Sequence, residues 1–416
     1  MAPAPASDPA GPDPNSLADR AADAYRRQDW PAFVAAQRAV VDADPGSDRD
    51  RYNLACGLAQ AGDRDGALAE LRGLLARGID FGAAADPDFA SLRGDPEFEA
   101  LIVAFDALFS PVSRSVRAFA VTDRADLAPE GIAHDADAPA GTGRFFVGSM
   151  ATGEVFAVTD GVARPFATLA VDGVPVSAVG LAVDAPRGRL WAIGTATDLH
   201  RDWVDGQPGV SALIGLDLAT GSIREVHRRA PGGGGFGFND LAVAPDGAVY
   251  LSGVDVHVVR PGDDAATVLG VQPPIHDSNG IALGADPGVL FVSADGRGIA
   301  RIDLATRART WLAAPPGSTV HGFDGLYHVD HALVGVEIGA GRWRVVRLDL
   351  DPTETAVTRI EVLEQENPAV AGVTTAAVVG PDLYWLGRDL PPDGVTGPAA
   401  AWAGRAAVWR VPIRPD

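Results

Sequence analysis

The sequence contains no lysine, one cysteine and no long apolar run, so all 34 basic residues are arginines. Without lysine, the chain has neither the amine of a Schiff-base mechanism nor that of a Walker-type phosphate loop. The single cysteine, Cys56, excludes an internal disulfide and a cysteine-rich metal site. It lies in an apolar helical pattern and is interpreted as a small core residue. No apolar run reaches the roughly 20 residues that cross a bilayer.

The charge balance is strongly acidic: 55 acidic residues against 34 basic ones give a formal net charge of -21 at pH 7. Such a charge repels phosphate groups, so we expect neither nucleic acid nor a membrane surface as a partner. The opening stretch, "MAPAPASDPAGPDPNS", has no basic start and no apolar core, so the chain as given shows no signal peptide. We expect a flexible leader over residues 1–15. The location is periplasmic or secreted if a signal has been removed, and cytoplasmic otherwise.

Length and periodicity favour a globular protein with two different parts. The chain has 416 residues, of which 47% are hydrophobic and 21% charged. That composition is ordinary for a globular protein, and the length is large for one core. Apolar residues follow helical spacing before residue 110 and form short strands between Gly, Pro and Asp turns after it. We therefore expect a multidomain protein, with an all-α domain at residues 16–110 and an all-β domain at residues 115–416.

The helical half contains a repeat of 34 residues. Ala21 returns as Ala55, and Asp29 returns as Asp63. This period, with aromatic residues in the first unit, resembles the tetratricopeptide repeat. Helical arrays of that kind present a groove for a peptide, so a protein partner is one expectation for this domain. A helical spacer without a partner is an equally good interpretation.

The second half repeats an octet six times, each followed by a second apolar strand. The octets begin at residues 129, 178, 238, 278, 323 and 373, and they read PEGIAHDA, AVGLAVDA, FNDLAVAP, SNGIALGA, FDGLYHVD and VTTAAVVG. Six repeats of about four strands predict a six-bladed β-propeller. Because radial closure removes exposed sheet edges, we expect the ring to close with residues 115–121 beside residues 406–413.

The second residue of every octet is predicted to converge at one mouth of the central channel. These residues are Glu130, Val179, Asn239, Asn279, Asp324 and Thr374. Carboxylate and amide oxygens bind hard cations, so the ring predicts a site for one divalent cation: calcium first, with magnesium, manganese or zinc as alternatives. A cation also offsets the repulsion between Glu130 and Asp324. The competing interpretation is turn chemistry, because Asn-Asp, Asn-Gly and Asp-Gly pairs form turns.

Four segments together resemble the superfamily of regucalcin and gluconolactonase, with the paraoxonases as more distant relatives. They are "PEGIA", "FNDLAVAPDG", "SNGIAL" and "FDGLY", in that order within residues 115–416. The resemblance implies that Glu130, Asn279 and Asp324 hold one divalent ion, with Asn239 on the ion or the substrate. It also implies hydrolysis of a small lactone or ester, with Asp324 taking a proton from the attacking water and Glu130 beside it in the catalytic site.

The substrate pocket is predicted to differ from that of the sugar lactonases. The resemblance places an arginine near the first asparagine, where this chain has Phe236 and Phe238. The resemblance to the paraoxonases places a histidine where this chain has Val179. A less polar substrate than a sugar lactone is therefore expected, and the glycine run at residues 232–235 predicts a loop over the mouth. The candidate substrate-binding residues are His276, His321, Phe238, Glu337 and Thr374.

Two other functions remain open from the sequence. A propeller can bind a ligand or a protein without catalysis, with the metal serving only the fold. A biosynthetic enzyme can also use the same pocket for another reaction. Removing the ion discriminates between a catalytic and a structural metal. It would abolish turnover if the metal is catalytic, and it would only lower the melting temperature if the metal serves the fold.

Overall fold

The chain folds into two compact units, Met1–Leu108 and Phe109–Asp416, in a computed structural model. The structure describes residues 14–138, 143–207, 209–229, 237–338, 342–390 and 404–414. Within these ranges no helix is long and apolar enough to cross a membrane. Most of the predicted leader, the glycine run at 232–235 and Phe236 lie outside the described residues.

The first unit consists of α-helices. They are α1 Pro14–Arg26, α2 Trp30–Ala43, α3 Asp48–Gln60, α4 Arg64–Ala76 and α5 Pro96–Leu108, with a short 3-10 helix at Pro87–Leu92 before α5. Asp29 and Asp63, which are 34 residues apart, cap α2 and α4. Each side chain accepts a hydrogen bond from a backbone amide of the first turn, at 3.2 Å for Asp29 and 3.0 Å for Asp63. The repeat position is thus a helix start that needs a capping oxygen.

The helical core is formed mainly by α3 and α4. Leu68 and Leu71 are fully buried, and Cys56 is buried among the same side chains. The interpretation of Cys56 as a core residue is confirmed. Its burial and the nearby carboxylates of Asp86 and Asp88 raise the pKa of the thiol, so the thiol stays protonated at neutral pH.

The second unit is a propeller-like arrangement of antiparallel strands. A first strand, β1, spans Val116–Ala120, and a two-stranded ribbon of β6 Ala170–Val171 and β7 Val174–Pro175 follows the first repeat. The first three repeats contribute β2 Pro129–Asp135, β3 Arg144–Ser149, β4 Glu154–Thr159, β5 Val162–Thr168, β8 Ser177–Asp184, β9 Arg189–Thr195, β10 Ser211–Asp217, β11 Ile223–Arg229, β12 Phe238–Val243, β13 Val249–Gly253, β14 His257–Val259 and β15 Ala265–Val268. The last three contribute β16 Ser278–Leu283, β17 Val289–Ala294, β18 Gly298–Asp303, β19 Arg309–Trp311, β20 Phe323–Val329, β21 Ala332–Glu337, β22 Arg344–Leu350, β23 Val357–Gln365, β24 Val370–Ala371, β25 Ala376–Val379, β26 Asp382–Asp389 and β27 Ala406–Pro412.

The count of separate sheets differs from the six that the repeats predict. Among the described strands, β2–β5, β16–β19 and β20–β23 form three four-stranded sheets, and β1 joins β24–β27 in a five-stranded one. The second and third repeats share a single eight-stranded sheet, because β11 and β15 pair in parallel over two residue pairs. Six repeats are thus distributed over five sheets.

The two ends of the second unit meet in one sheet. β1 pairs antiparallel with β27, which itself pairs with β26. The predicted closure between residues 115–121 and 406–413 is therefore confirmed. The inner strands also contact each other in cyclic order, from β2 through β8, β12, β16, β20 and β25 back to β2. The six octets consequently surround one channel.

Five of the six octets begin in strands rather than in turns. In β2, β8, β12, β16 and β20 the pairing register shifts at the octet's second or third residue. In the sixth repeat the inner strand is interrupted between β24 and β25. A bulge bends a strand and re-aims a side chain. The repeated irregularity therefore sets the direction of the residues at the channel mouth, which the turn interpretation of the Asn-Gly and Asp-Gly pairs does not explain.

The glycine that follows this position in four octets packs against the neighbouring inner strand. A Cβ atom built on Gly280 would lie 2.9 Å from the Cβ of Leu326 and 3.0 Å from its backbone nitrogen. The same crowding, against backbone or side-chain atoms of the next repeat, is found at Gly131, Gly180 and Gly325. Glycine is thus required where adjacent inner strands approach closely.

Candidate metal centre

A cavity of about 320 Å³ lies between the inner strands. All six octets contribute to its lining. Five of the six residues predicted to converge there do so: Glu130, Val179, Asn239, Asn279 and Asp324. From the sixth octet the lining residue is Thr375 rather than its neighbour Thr374.

Asn279 and Asp324 are in direct contact across two adjacent inner strands, β16 and β20. The Nδ2 amide of Asn279 donates a hydrogen bond of 2.6 Å to Oδ1 of Asp324. The Oδ1 oxygen of Asn279 is buried and accepts no hydrogen bond from any described residue. An unsatisfied buried acceptor costs about 1–3 kcal/mol, so a group that satisfies it would stabilise the fold.

Three carboxylates face one another in this cavity, and each has a raised pKa. Burial raises the pKa of Glu130 well above its usual range, and the charges of Asp324 and Asp240 raise it further. Burial also raises the pKa of Asp324 to about 6 and that of Asp240 to about 8. Burial is the largest cause in each case, and among the described lining residues no arginine offsets the negative charges.

Asp240 is the acid that sequence reasoning missed. Its carboxylate accepts hydrogen bonds from the backbone amides of Leu241, at 2.8 Å, and Ile281, at 3.4 Å. It therefore links β12 to β16 beside Asn279. Asp240 stands at the octet position where four other repeats have glycine. That departure within "FND" was the available signal, but an Asn-Asp pair is also typical of turns.

The donor set fits a hard divalent cation. Two carboxamide oxygens and several carboxylate oxygens line one cavity, and this combination is what calcium and magnesium select. The buried Oδ1 of Asn279 is an acceptor in need of a partner. An ion would satisfy that oxygen and offset the repulsion among Glu130, Asp240 and Asp324. The residues suited to hold it are those predicted from the sequence: Glu130, Asn239, Asn279 and Asp324.

Two predicted substrate-binding residues belong to the interior of the sheets instead. Phe238 is fully buried, packs within a hydrophobic cluster and contacts the His257 ring edge-on, with 5.1 Å between the ring centroids. Glu337 is also buried and accepts two hydrogen bonds from Arg344, at 2.8 and 3.1 Å. Neither residue lines the cavity.

The other three predicted substrate-binding residues do not line the cavity either. His276 is half-exposed, with Nδ1 3.6 Å from Oδ1 of Asp255. His321 is buried just before β20. The Thr374 hydroxyl donates to the backbone oxygen of Pro129 at 3.3 Å, which joins the sixth repeat to the first.

A second cavity, of about 340 Å³, shares Asn239 and Asn279 with the first. The two carboxamides therefore lie at the boundary between the cavities. The other residues that line the second cavity come from segments at or near strand ends. They are Gly253, Val254, Asp277, Ser278, Ser293, Asp295, Gly322, Phe323 and Ile338. A molecule occupying this second cavity would lie against the candidate metal ligands.

Another group of possible ligands lies in the helical unit, where Cys56, Asp86 and Asp88 have potential ligand atoms within 4.8 Å of one another. These groups are engaged in protein hydrogen bonds. Tyr52 donates to Asp86 at 2.6 Å, and Gln60 donates to Asp88 at 3.2 Å. Asp86 also caps the 3-10 helix through the amide of Asp88. The cluster is accounted for as helix packing.

The comparisons with known proteins give fold likeness only. No protein-family model matches the sequence, and no curated protein matches it. The chain is similar to a structure assigned as an oxidoreductase (glucose dehydrogenase) from Thermus thermophilus, at 17% identity and a TM-score of 0.46, covering 72% of this chain and 99% of that one. It is also similar to a structure assigned as a gluconolactonase (17%, TM-score 0.42, 77% and 96% covered) and to the WD40 repeats of RRP9 (11%, TM-score 0.44, 73% and 99% covered). Activities differ among these propellers, so the likeness does not identify one.

Proposed function

We propose that the second unit is a divalent-metal-dependent hydrolase of lactones or esters. The observation that supports this most is the buried, unpartnered Oδ1 of Asn279 next to Asp324, in a cavity with two further carboxylates. Calcium is the proposed ion. An open divalent ion polarises a carbonyl and stabilises the oxyanion that forms on attack.

Asp324 is the proposed general base. The pKa of Asp324 is about 6 in the ion-free protein, and a bound cation would lower it, so the carboxylate would be ionised near neutral pH and able to accept a proton from water. The hydrogen bond from Asn279 holds the carboxylate in one orientation. Glu130, Asn239 and Asn279 would hold the ion together with Asp324, and the second cavity would take the substrate.

The finer structural assignments belong to the same proposal. The eight-stranded sheet is counted as two blades, because only two residue pairs join its halves. That count gives a six-bladed propeller. The capped helix pairs of the first unit are proposed to be tetratricopeptide-like, with a protein partner as their proposed ligand.

The test is hydrolysis of aliphatic, aromatic and sugar lactones by the full chain, with calcium or with chelator. Turnover that requires calcium and is lost in Asp324→Asn would support the proposal. Asp286→Asn is the matched control, because Asp286 accepts a hydrogen bond in the exposed turn between β16 and β17. Calcium binding without turnover of any lactone or ester would instead indicate a binding protein with a structural metal.

A further inference from the structure

The second cavity exposes more apolar than polar surface to a ligand. The Ser278 hydroxyl accepts from the Gly253 amide at 3.0 Å and donates to the Gly253 carbonyl at 2.9 Å. The Ser293 hydroxyl accepts from the Phe323 amide at 3.0 Å. Both hydroxyls are therefore engaged by the backbone, and the surface of the cavity is mainly apolar. A polyhydroxylated ring placed there would find acceptors at Asp277 and Asp295, but its hydroxyls against the apolar part of the surface would lose hydrogen bonds to water without replacing them.

Two aliphatic side chains form the wall of this cavity. Ile338 is 36% exposed, and its backbone amide is tied to the carbonyl of Gly322 at 2.8 Å. Val254 is partly buried in the third repeat, directly after β13. An apolar substituent between them would be removed from water on binding.

Neither cavity carries a fixed positive charge from the protein. No arginine lines either one among the described residues, and the remaining segments of the chain contain no arginine or lysine. Asp277 adds a carboxylate to the second cavity, and the chain as a whole carries a net charge of -21. Asp277 and Asp295 both line the cavity where the substrate would lie, so the local field there opposes an anionic substrate.

We infer that the substrate is an uncharged lactone or ester with an aliphatic substituent and few hydroxyl groups. Its ring or ester carbonyl lies at the Asn239–Asn279 boundary, and the substituent lies against Val254 and Ile338. This inference rests on the proposed hydrolase function of the same site. The sequence suggested a less polar substrate because of Phe238, but Phe238 is buried in the core and does not line the cavity. The apolar surface of the second cavity is a different reason for the same expectation.

The test is kcat/KM of the calcium-loaded full chain on γ-lactones with one ring size and different substituents. Burial of a methylene predicts a rise of about fourfold per added CH2 until the cavity is filled. Lactones carrying several hydroxyls or a carboxylate are expected to react at least about tenfold more slowly than the alkyl lactone of similar size. Ile338→Asn should flatten the chain-length series. Val268→Asn, at an exposed valine of β15, is the matched control and should leave the series unchanged.

A binding measurement separates this inference from the proposed reaction. Alkyl-substituted δ-lactams resist hydrolysis and should raise the melting temperature more as the alkyl chain lengthens, with the effect reduced in Ile338→Asn. If lactams bind in this way but no lactone is hydrolysed, the substrate-cavity inference stands and the hydrolase proposal fails. A flat chain-length dependence in both assays, or a preference for the hydroxylated or carboxylated lactone, would overturn the inference.

Discussion

The Nδ2 atom of Asn279 lies 2.6 Å from Oδ1 of Asp324, although the two residues are 45 positions apart in the chain. The contact spans two neighbouring inner strands whose registers are both shifted at these residues. Because the amide nitrogen faces Asp324, the buried amide oxygen is left without a hydrogen bond from any described residue. Metal binding, pH dependence and packing at this contact can each be tested.

Asn279→Ala is expected to lower calcium affinity by about tenfold to a hundredfold. It removes both the proposed ligand oxygen and the hydrogen bond that orients Asp324, and losses of that size follow even from removing supporting groups around a metal. Calorimetric titration of chelator-treated protein with calcium measures the effect.

Asn367→Ala controls for a general loss of stability. Asn367 is also buried, and it donates to Glu364 at 2.6 Å, outside the lining of either cavity. This variant should melt earlier and bind calcium with unchanged affinity. Equal calcium affinity in Asn279→Ala and the unmodified protein would exclude Asn279 as a ligand.

The stabilisation by calcium is expected to grow between about pH 5 and pH 8. Burial raises the pKa of Asp324 to about 6 and that of Asp240 to about 8, above the value of about 3.9 for an unfolded aspartate. In the protein without calcium, the contribution of these two acids to the free energy of unfolding is fully present below about pH 4. It is lost as the pH rises through 6 and 8, because the unfolded chain ionises first.

The measurement is the difference in melting temperature with calcium and with chelator, taken at several pH values. Using the difference cancels groups outside the site, including His257, whose pKa is lowered by burial. In the ion-free protein, Asp240→Asn should reduce the fall of the melting temperature with rising pH above about pH 6. A difference that is constant or shrinks with rising pH would contradict the assignment of a shared cation site to these carboxylates.

Gly280→Ala is expected to destabilise the second unit by about 1–3 kcal/mol, the usual cost of overpacking. The new methyl group would meet the Cβ and backbone nitrogen of Leu326 at 2.9 and 3.0 Å. Gly209→Ala is the matched control, since nothing lies within 4 Å of the position that its methyl group would take and its φ is not positive. Urea unfolding compares the two, and equal stability would show that the inner strands are not packed this closely.

Glu337→Ala is expected to cost about 3–5 kcal/mol of stability while leaving calcium affinity unchanged. Removing the carboxylate leaves the guanidinium of Arg344 without the partner that accepts two of its hydrogen bonds. Urea unfolding and calcium titration of the same variant separate the two effects. A large loss of calcium affinity in a folded variant would return Glu337 to the candidate site, where the sequence interpretation had placed it.

The octets alone were sufficient to predict the inner strands and the convergence of five side chains. A repeat with a constant position places that position equivalently around an axis, so Glu130, Asn239, Asn279 and Asp324 could be grouped without coordinates. The pairing of the two ends was also predictable, because a closed ring needs a partner for its last strand.

The directions of single side chains could not be predicted in the same way. Phe238 and Glu337 were expected at the substrate, yet both point into the sheets. A bulge changes the alternation of faces, and its position follows from hydrogen bonding between strands rather than from residue type. The pairing of β11 with β15 could not be predicted from the sequence either, because a contact of two backbone residue pairs leaves no pattern in the side chains.

The sequence by itself thus determined the strand repeat, the ring and the chemistry of the donor atoms, because each depends on a periodic local pattern. Only the tertiary structure decided that Asp240 joins the site, that Asn279 contacts Asp324 through its nitrogen, and that the second cavity is apolar. These features depend on which groups from distant segments satisfy one another once buried. Burial and pairing are properties of the packed fold.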